Sequence, residues 1–145
     1  MPSRVDAAVA LFDEGYNCAQ SVFAAFAPSF GVDRDMALRL TNTLGAGMNL
    51  SDGPCGALNG ALHVLGLRHG GTAPDDEAAD ERLRELSRDL IRRFRERCPS
   101  ASCTKLLGID ISTPEGFARA KAADMFAGTC PDSVRAASEI LLEML

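Results

Sequence analysis

Between Gly45 and Leu67 the chain reads GAGMNLSDGPCGALNGALHVLGL, a glycine-rich loop running into an almost wholly apolar segment, with one cysteine, Cys55, at the join. Ala57, Leu58, Ala61, Leu62, Val64 and Leu65 leave that segment almost no polar face, so a helix there must be buried on all sides. A buried central helix at about 54–67 in turn requires other helices or sheets to cover it. Gly56 and Gly60, four apart, let a neighbouring backbone come close. Asp52 or Gly53 is placed to cap the helix, and Pro54 suits its first position.

This puts Cys55 in the first helical turn, where free N–H groups and the positive end of the helix dipole favour a thiolate. A thiolate attacks disulfides and binds metals. The plain alternative is packing, since free cysteine is among the most buried residue types.

No run of alternating apolar and polar residues reaches strand length, and helical spacing dominates, so the fold class is all-α, a single compact bundle of five or six helices. Apolar residues from Val5 through Ala8, Phe12, Tyr16, Ala19 and Phe23 to Phe26 give a long first helix, with Gly15 as its weak point. Cys18 lies on that helix's second stripe, beside Leu11, Val22 and Ala25, and faces protein. Asp33 caps a short helix that runs through Leu44. Pro74 to Arg97 is amphipathic, with Leu83, Leu86, Leu90 and Phe94 on one face, and Cys98 ends it because Pro99 follows. Ser102 caps Cys103–Leu107, which Gly108 stops, and Thr113-Pro114 opens another helix. Pro131 at a first helical position makes Cys130 the N-cap of the last one. On this reading Cys55, Cys103 and Cys130 all stand at helix starts, whereas Cys18 is presented sideways.

At 145 residues, 46% apolar and 24% charged, the chain suits one domain over residues 1–145 with a core of its own. A net charge of −5 and a pI near 5.0 speak against a nucleic-acid surface, and the arginines between Glu81 and Arg97 alternate with carboxylates. No stretch approaches the ~20 apolar residues of a membrane span, and Asp6, Asp13 and Glu14 spoil a signal-peptide reading, which points to a cytoplasmic protein without membrane insertion.

Five cysteines, at 18, 55, 98, 103 and 130, are many for such a protein, and their odd number argues against a closed disulfide framework. No two have Cys-x-x-Cys spacing, so any shared site must be assembled by the fold. His63 and His69 are a conceivable ligand and proton carrier. Nucleotide-loop, His-Glu-x-x-His and serine-elbow motifs are absent from the sequence.

Asn17-Cys18-Ala-Gln-Ser-Val22, Cys55-Gly-Ala-x-x-Gly60, Cys103-x-x-Leu-Leu-Gly108 and Cys130 together resemble the small redox-active family named for its Cys…Cys-Gly-Ala-x-x-Gly…Cys…Cys pattern. The resemblance covers Asn17 nearly to the C-terminus. It implies that the four family cysteines are Cys18, Cys55, Cys103 and Cys130, Cys103 being preferred to Cys98 because Leu106-Leu107-Gly108 follows it. It also implies redox activity and, through a related domain in split-Soret cytochromes, a link to an iron–sulfur centre.

Two functions follow. In the first, the four thiolates hold an iron–sulfur cluster, of the two-iron type, for electron transfer or redox sensing, with zinc as the alternative metal for the same ligands. In the second, Cys55 is the nucleophile of a thiol–disulfide oxidoreductase and Cys103 or Cys130 resolves the mixed disulfide. A helical interaction domain with buried cysteines is the plainest reading. A redox partner protein of unknown identity and a homodimer, joined by apolar surface left on the Ala-rich helices, complete these expectations.

Overall fold

The computed structural model describes residues 3–145. The chain opens with α1, Arg4–Asp13, capped by Ser3, whose Oγ accepts from the Asp6 N–H. The expected long first helix is in fact two. Gly15 takes a φ of 109°, which ends α1, and Asn17 starts α2, Cys18–Phe26, with a reciprocal capping box. In it Asn17 Oδ1 accepts from the Gln20 N–H at 2.9 Å and Gln20 Oε1 accepts from the Asn17 N–H at 3.1 Å. Asn17 Nδ2 also donates to the Asn42 carbonyl at 2.9 Å, joining the helix start to the loop after α3. Asn17→Ala removes both hydrogen bonds made by the Asn17 side chain and is expected to cost about 2 kcal/mol, the upper end for a cap, read as a lower denaturation midpoint at unchanged slope.

A short 3₁₀ turn, Ala27–Phe30, leads to α3, Arg34–Leu40, capped by Asp33 as the sequence suggested. It ends at Thr41, short of Leu44, because the buried Thr41 hydroxyl donates back to the Ala37 carbonyl at 2.8 Å and the chain then turns. The glycine loop that follows is a left-handed helical turn. Ala46, Gly47, Met48 and Asn49 have φ of 53–67° and ψ of 46–60°, and Leu50 has φ of 67°. Each non-glycine residue so placed costs roughly 1–2 kcal/mol, so surrounding structure must hold the turn. The Gly53 and Ser51 N–H groups donate to the Gly47 carbonyl at 2.8 and 3.2 Å, and Ser51 Oγ donates to the Met48 carbonyl at 2.8 Å.

The apolar helix is α4, Gly56–His69, in which Gly56, Ala57, Leu58, Gly60, Ala61, Val64 and Leu65 are buried. It packs against α2 and against the helices Glu77–Arg97 and Met125–Met144. Its N-cap is Cys55 itself, not Asp52 or Gly53, because Pro54 is drawn into a β-bridge with Ser102 and the Cys55 N–H donates to the Ala101 carbonyl at 2.6 Å. No longer strand pairing occurs among the described residues. Gly60 lies flush on α2: a Cβ added there would stand 2.7 Å from the Ala19 carbonyl oxygen.

Helix α5, Glu77–Arg97, is capped by Asp76 and buries Leu90 and Phe94, while Arg92 pairs with Asp89 and Glu96 at 2.6 Å on its solvated face. Short helices α6, Cys103–Leu107, and α7, Pro114–Ala122, start at Ser102 and Thr113 as expected. The last helix, α8, runs from Met125 to Met144 with Pro131 inside it. Cys130 is therefore not its N-cap. Pro131 withholds only one intrahelical N–H, and the turns before it are kept because Met125 and Phe126 pack on Phe117, the two phenyl rings 6.0 Å apart edge to face.

The right-handed α-helices number eight among the described residues, more than the five or six expected, because the first is divided at Gly15 and the single turn Cys103–Leu107 counts as a helix of its own. They bury two apolar clusters. The larger joins α1, α2, α4, α5 and the later part of α8 around Phe26, Leu65, Leu90, Phe94 and Leu141. The smaller is built on Cys103, Leu107, Ile111 and Ala120, with Phe117, Met125, Phe126 and Cys130 packed against it. α8 takes part in both, and changes from one to the other at Pro131.

Candidate functional site

At the seam between the two clusters lies a cavity of about 290 Å³, and Cys18, Cys55, Cys103 and Cys130 all line it. Cys98 does not; it ends α5 inside the larger core, where burial raises its thiol although the Ser133 hydroxyl pulls the other way. All five cysteines are free thiols. Their placement exchanges two of the expected roles. Cys18 is the first residue of α2, Cys55 the N-cap of α4 and Cys103 the first residue of α6, so these three stand at helix starts. Cys130 is the one presented sideways, from within α8.

Local structure makes room for the sulfurs. Gly56 is required because a Cβ there would collide with Cys18 Sγ, and Gly47 because its Cβ would stand 2.9 Å from Cys103 Cβ. The hexapeptide Cys55-Gly56-Ala57-x-x-Gly60 thus supplies one thiol, a seat for a second at Gly56, and a close approach to the helix that carries that second thiol at Gly60. Cys103 is fixed by its N–H, which donates to the Gly53 carbonyl at 3.4 Å, and by Thr104 Oγ1, which donates to Asp52 Oδ1 at 2.5 Å. Asp52 therefore ties the loop to α6 instead of capping α4.

The expected stabilisation of thiolate at Cys55 is outweighed in the metal-free protein. Burial, and then the charge of Cys18, push its thiol up from the ordinary 9.0 to about 12, although the Leu58 and Ala57 N–H groups pull the other way. Burial, Cys18 and Asp52 push Cys103 to about 12. Cys130 is raised by burial and then by Cys18, Cys103 and Cys55. Burial also raises Cys18, against the N–H groups of Ala46, Ala19, Cys18 itself and Gly56. The helix-start N–H groups are thus present, but the four sulfurs share one desolvated space and repel one another when charged.

A folded-state thiol pKa above the unfolded one stabilises the fold fully below the unfolded value and loses that contribution as pH rises through the folded value. On account of these thiols the reduced, metal-free protein should lose stability as pH rises between about 9 and 12, the interval set by Cys55 and Cys103. A Cys55→Ser variant should show a shallower fall in the same thermal scans.

Among the described residues no three His, Cys, Asp or Glu side chains stand close enough to hold a single metal ion. His63 is exposed, with Nδ1 2.8 Å from the Asn59 carbonyl and its ring edge against Phe23, and neither it nor His69 reaches the cavity. Sequence patterns did not mark Phe12, Tyr16, Lys121 and Ser133 as part of this wall, since helical spacing makes such residues look like ordinary core or surface. No helix among the described residues is long and apolar enough to cross a membrane.

No curated protein and no solved structure matches the chain. A family profile, described as "Putative redox-active protein (C_GCAxxG_C_C)", matches residues 16–144, nearly the whole chain and every residue of the four-thiol cavity from Tyr16 onward. With its cysteines at 18, 55, 103 and 130 gathered on that cavity, the chain belongs to the C_GCAxxG_C_C family.

Proposed function

We propose that Cys18, Cys55, Cys103 and Cys130 hold an iron–sulfur cluster of the two-iron type, and that the protein transfers electrons or senses redox state through it. The observation that carries this reading is the meeting of four thiols, three buried and Cys130 half-buried, from four separate segments around one cavity of about 290 Å³. Sulfurs that repel one another when ionised are stabilised as thiolates by bound cations, and four soft donors suit iron–sulfur clusters or zinc.

Four sulfurs admit either metal; the cluster is favoured over zinc by the family resemblance, and the absence of Cys-x-x-Cys pairs disfavours a structural zinc knuckle. A cluster supplies one-electron chemistry when bound. The chain's own contribution is to exclude water by burying Cys18, Cys55 and Cys103, and to direct backbone N–H groups at Cys18 and Cys55, where they favour negative charge on sulfur. A redox partner protein would exchange the electrons at the cavity's open side.

The thiol–disulfide reading draws less support, because a Cys55 thiol pushed to about 12 is protonated at neutral pH and is no ready nucleophile. Anaerobic purification followed by iron, zinc and acid-labile sulfide analysis with a visible spectrum tests the proposal. Stoichiometric iron and sulfide are expected; zinc alone, or no metal with a Cys55 disulfide, would overturn it.

A further inference from the structure

The chain has seven Phe, one Tyr and no Trp, and half of these aromatics, Phe12, Tyr16, Phe117 and Phe126, stand at the four-thiol cavity. None of the four is fully buried, whereas Cys18, Cys55 and Cys103 are. Just one lining residue carries a charge, Lys121, which is exposed, with its Nζ 5.4 Å from the centre of the Phe117 ring. Lys121 takes part in none of the ion pairs among the described residues, in a chain whose net charge is −5. No carboxylate lines the cavity to neutralise it.

We infer that the cavity is an open pocket for a small organic molecule with a flat apolar body and a single negative charge. The body lies between the aromatic walls above the thiols, and the anionic group meets Lys121. Flat rings gain from offset or edge contact with Phe and Tyr beyond the area they bury. An exposed cation at the pocket mouth, with no carboxylate beside it, adds a modest preference for an anion. The volume of about 290 Å³ sits at the lower edge for ligand pockets and limits the molecule to about two fused rings. The inference rests on the cluster reading for what the bound molecule would exchange electrons with, but not for its binding.

Naphthalene-2-sulfonate, a flat monoanion, and uncharged naphthalene-2-sulfonamide are suitable probes, titrated calorimetrically into the full chain both iron-loaded and metal-free under reducing conditions. One site is expected, with the sulfonate bound about threefold more tightly than the sulfonamide, as suits a single exposed cation. That preference should vanish in Lys121→Gln, whose exposed position spares the fold, and Phe117→Ala should weaken both probes. Equal affinity for the two probes, a preference that survives Lys121→Gln, or no saturable binding overturns the pocket. If the protein takes up iron and then no longer binds the sulfonate, the metal group fills the cavity; the pocket is overturned and the cluster reading stands. If it binds the sulfonate with the charge preference yet takes up no iron, the pocket stands and the cluster reading fails.

Discussion

Cys55→Ser is expected to bring bound iron and visible absorbance down to background, while Cys98→Ser keeps both at the level of the unaltered protein. Serine is itself a favoured N-cap, so the exchange preserves the start of α4 and removes only the sulfur. Loss of iron would then report a lost ligand, not a lost helix. Cys98 has comparable burial but lines no part of the cavity, and its serine variant keeps a polar partner in Ser133. Iron and sulfide measured per chain after anaerobic reconstitution compare the two directly. Iron retained without Cys55, or lost without Cys98, would mean that other thiols hold the metal. Because ligand bonds join segments otherwise far apart in sequence, the Cys55 variant should also melt at a lower temperature than the loaded protein.

Gly56→Ala is expected to destabilise the protein by about 2 kcal/mol or more and to reduce iron loading with it. Helix propensity alone favours alanine over glycine by roughly 1 kcal/mol, so any loss reflects the clash of the new Cβ with Cys18 Sγ. The same helix carries its own control. Gly66 has nothing within 4 Å of the Cβ position, so Gly66→Ala should stabilise by about 0.5–1 kcal/mol through propensity. Thermal melts of both variants, at ~2–4 °C per kcal/mol for a chain of this size, should move in opposite directions. A Gly56→Ala protein as stable as Gly66→Ala would mean that Cys18 is not seated on α4.

Local chemistry was legible in the sequence wherever it acts alone. The caps at Asp33, Ser102 and Thr113, the amphipathic face of α5 and the apolar α4 each rest on side chains acting within one element. The misread features are those in which a distant segment competes with a local rule. Pro131 usually begins a helix, but burial of Met125 and Phe126 extends α8 in front of it. The left-handed turn after Gly45 has no local cause, since Ala46, Met48, Asn49 and Leu50 would all prefer other angles. It is held from outside by Gly53 and Cys103. Gathering of cysteines 18, 55, 103 and 130 followed from the family resemblance and not from their spacing, whereas the upward pKa shifts needed the burial to be known.

Sharing of α8 between the two clusters bears on how the protein comes apart. The smaller cluster has only four fully buried residues, too few to persist without help, and much of its attachment to the rest is this one helix. Pro131, at the junction, removes a hydrogen bond from the place where the helix must carry cooperativity across. Without metal, the region from α6 to the start of α8 therefore forms the least stable cooperative unit and opens before the larger core melts. A group bound by cysteines of both clusters would make the two units unfold together, and its loading would then set the number of transitions as well as their temperature.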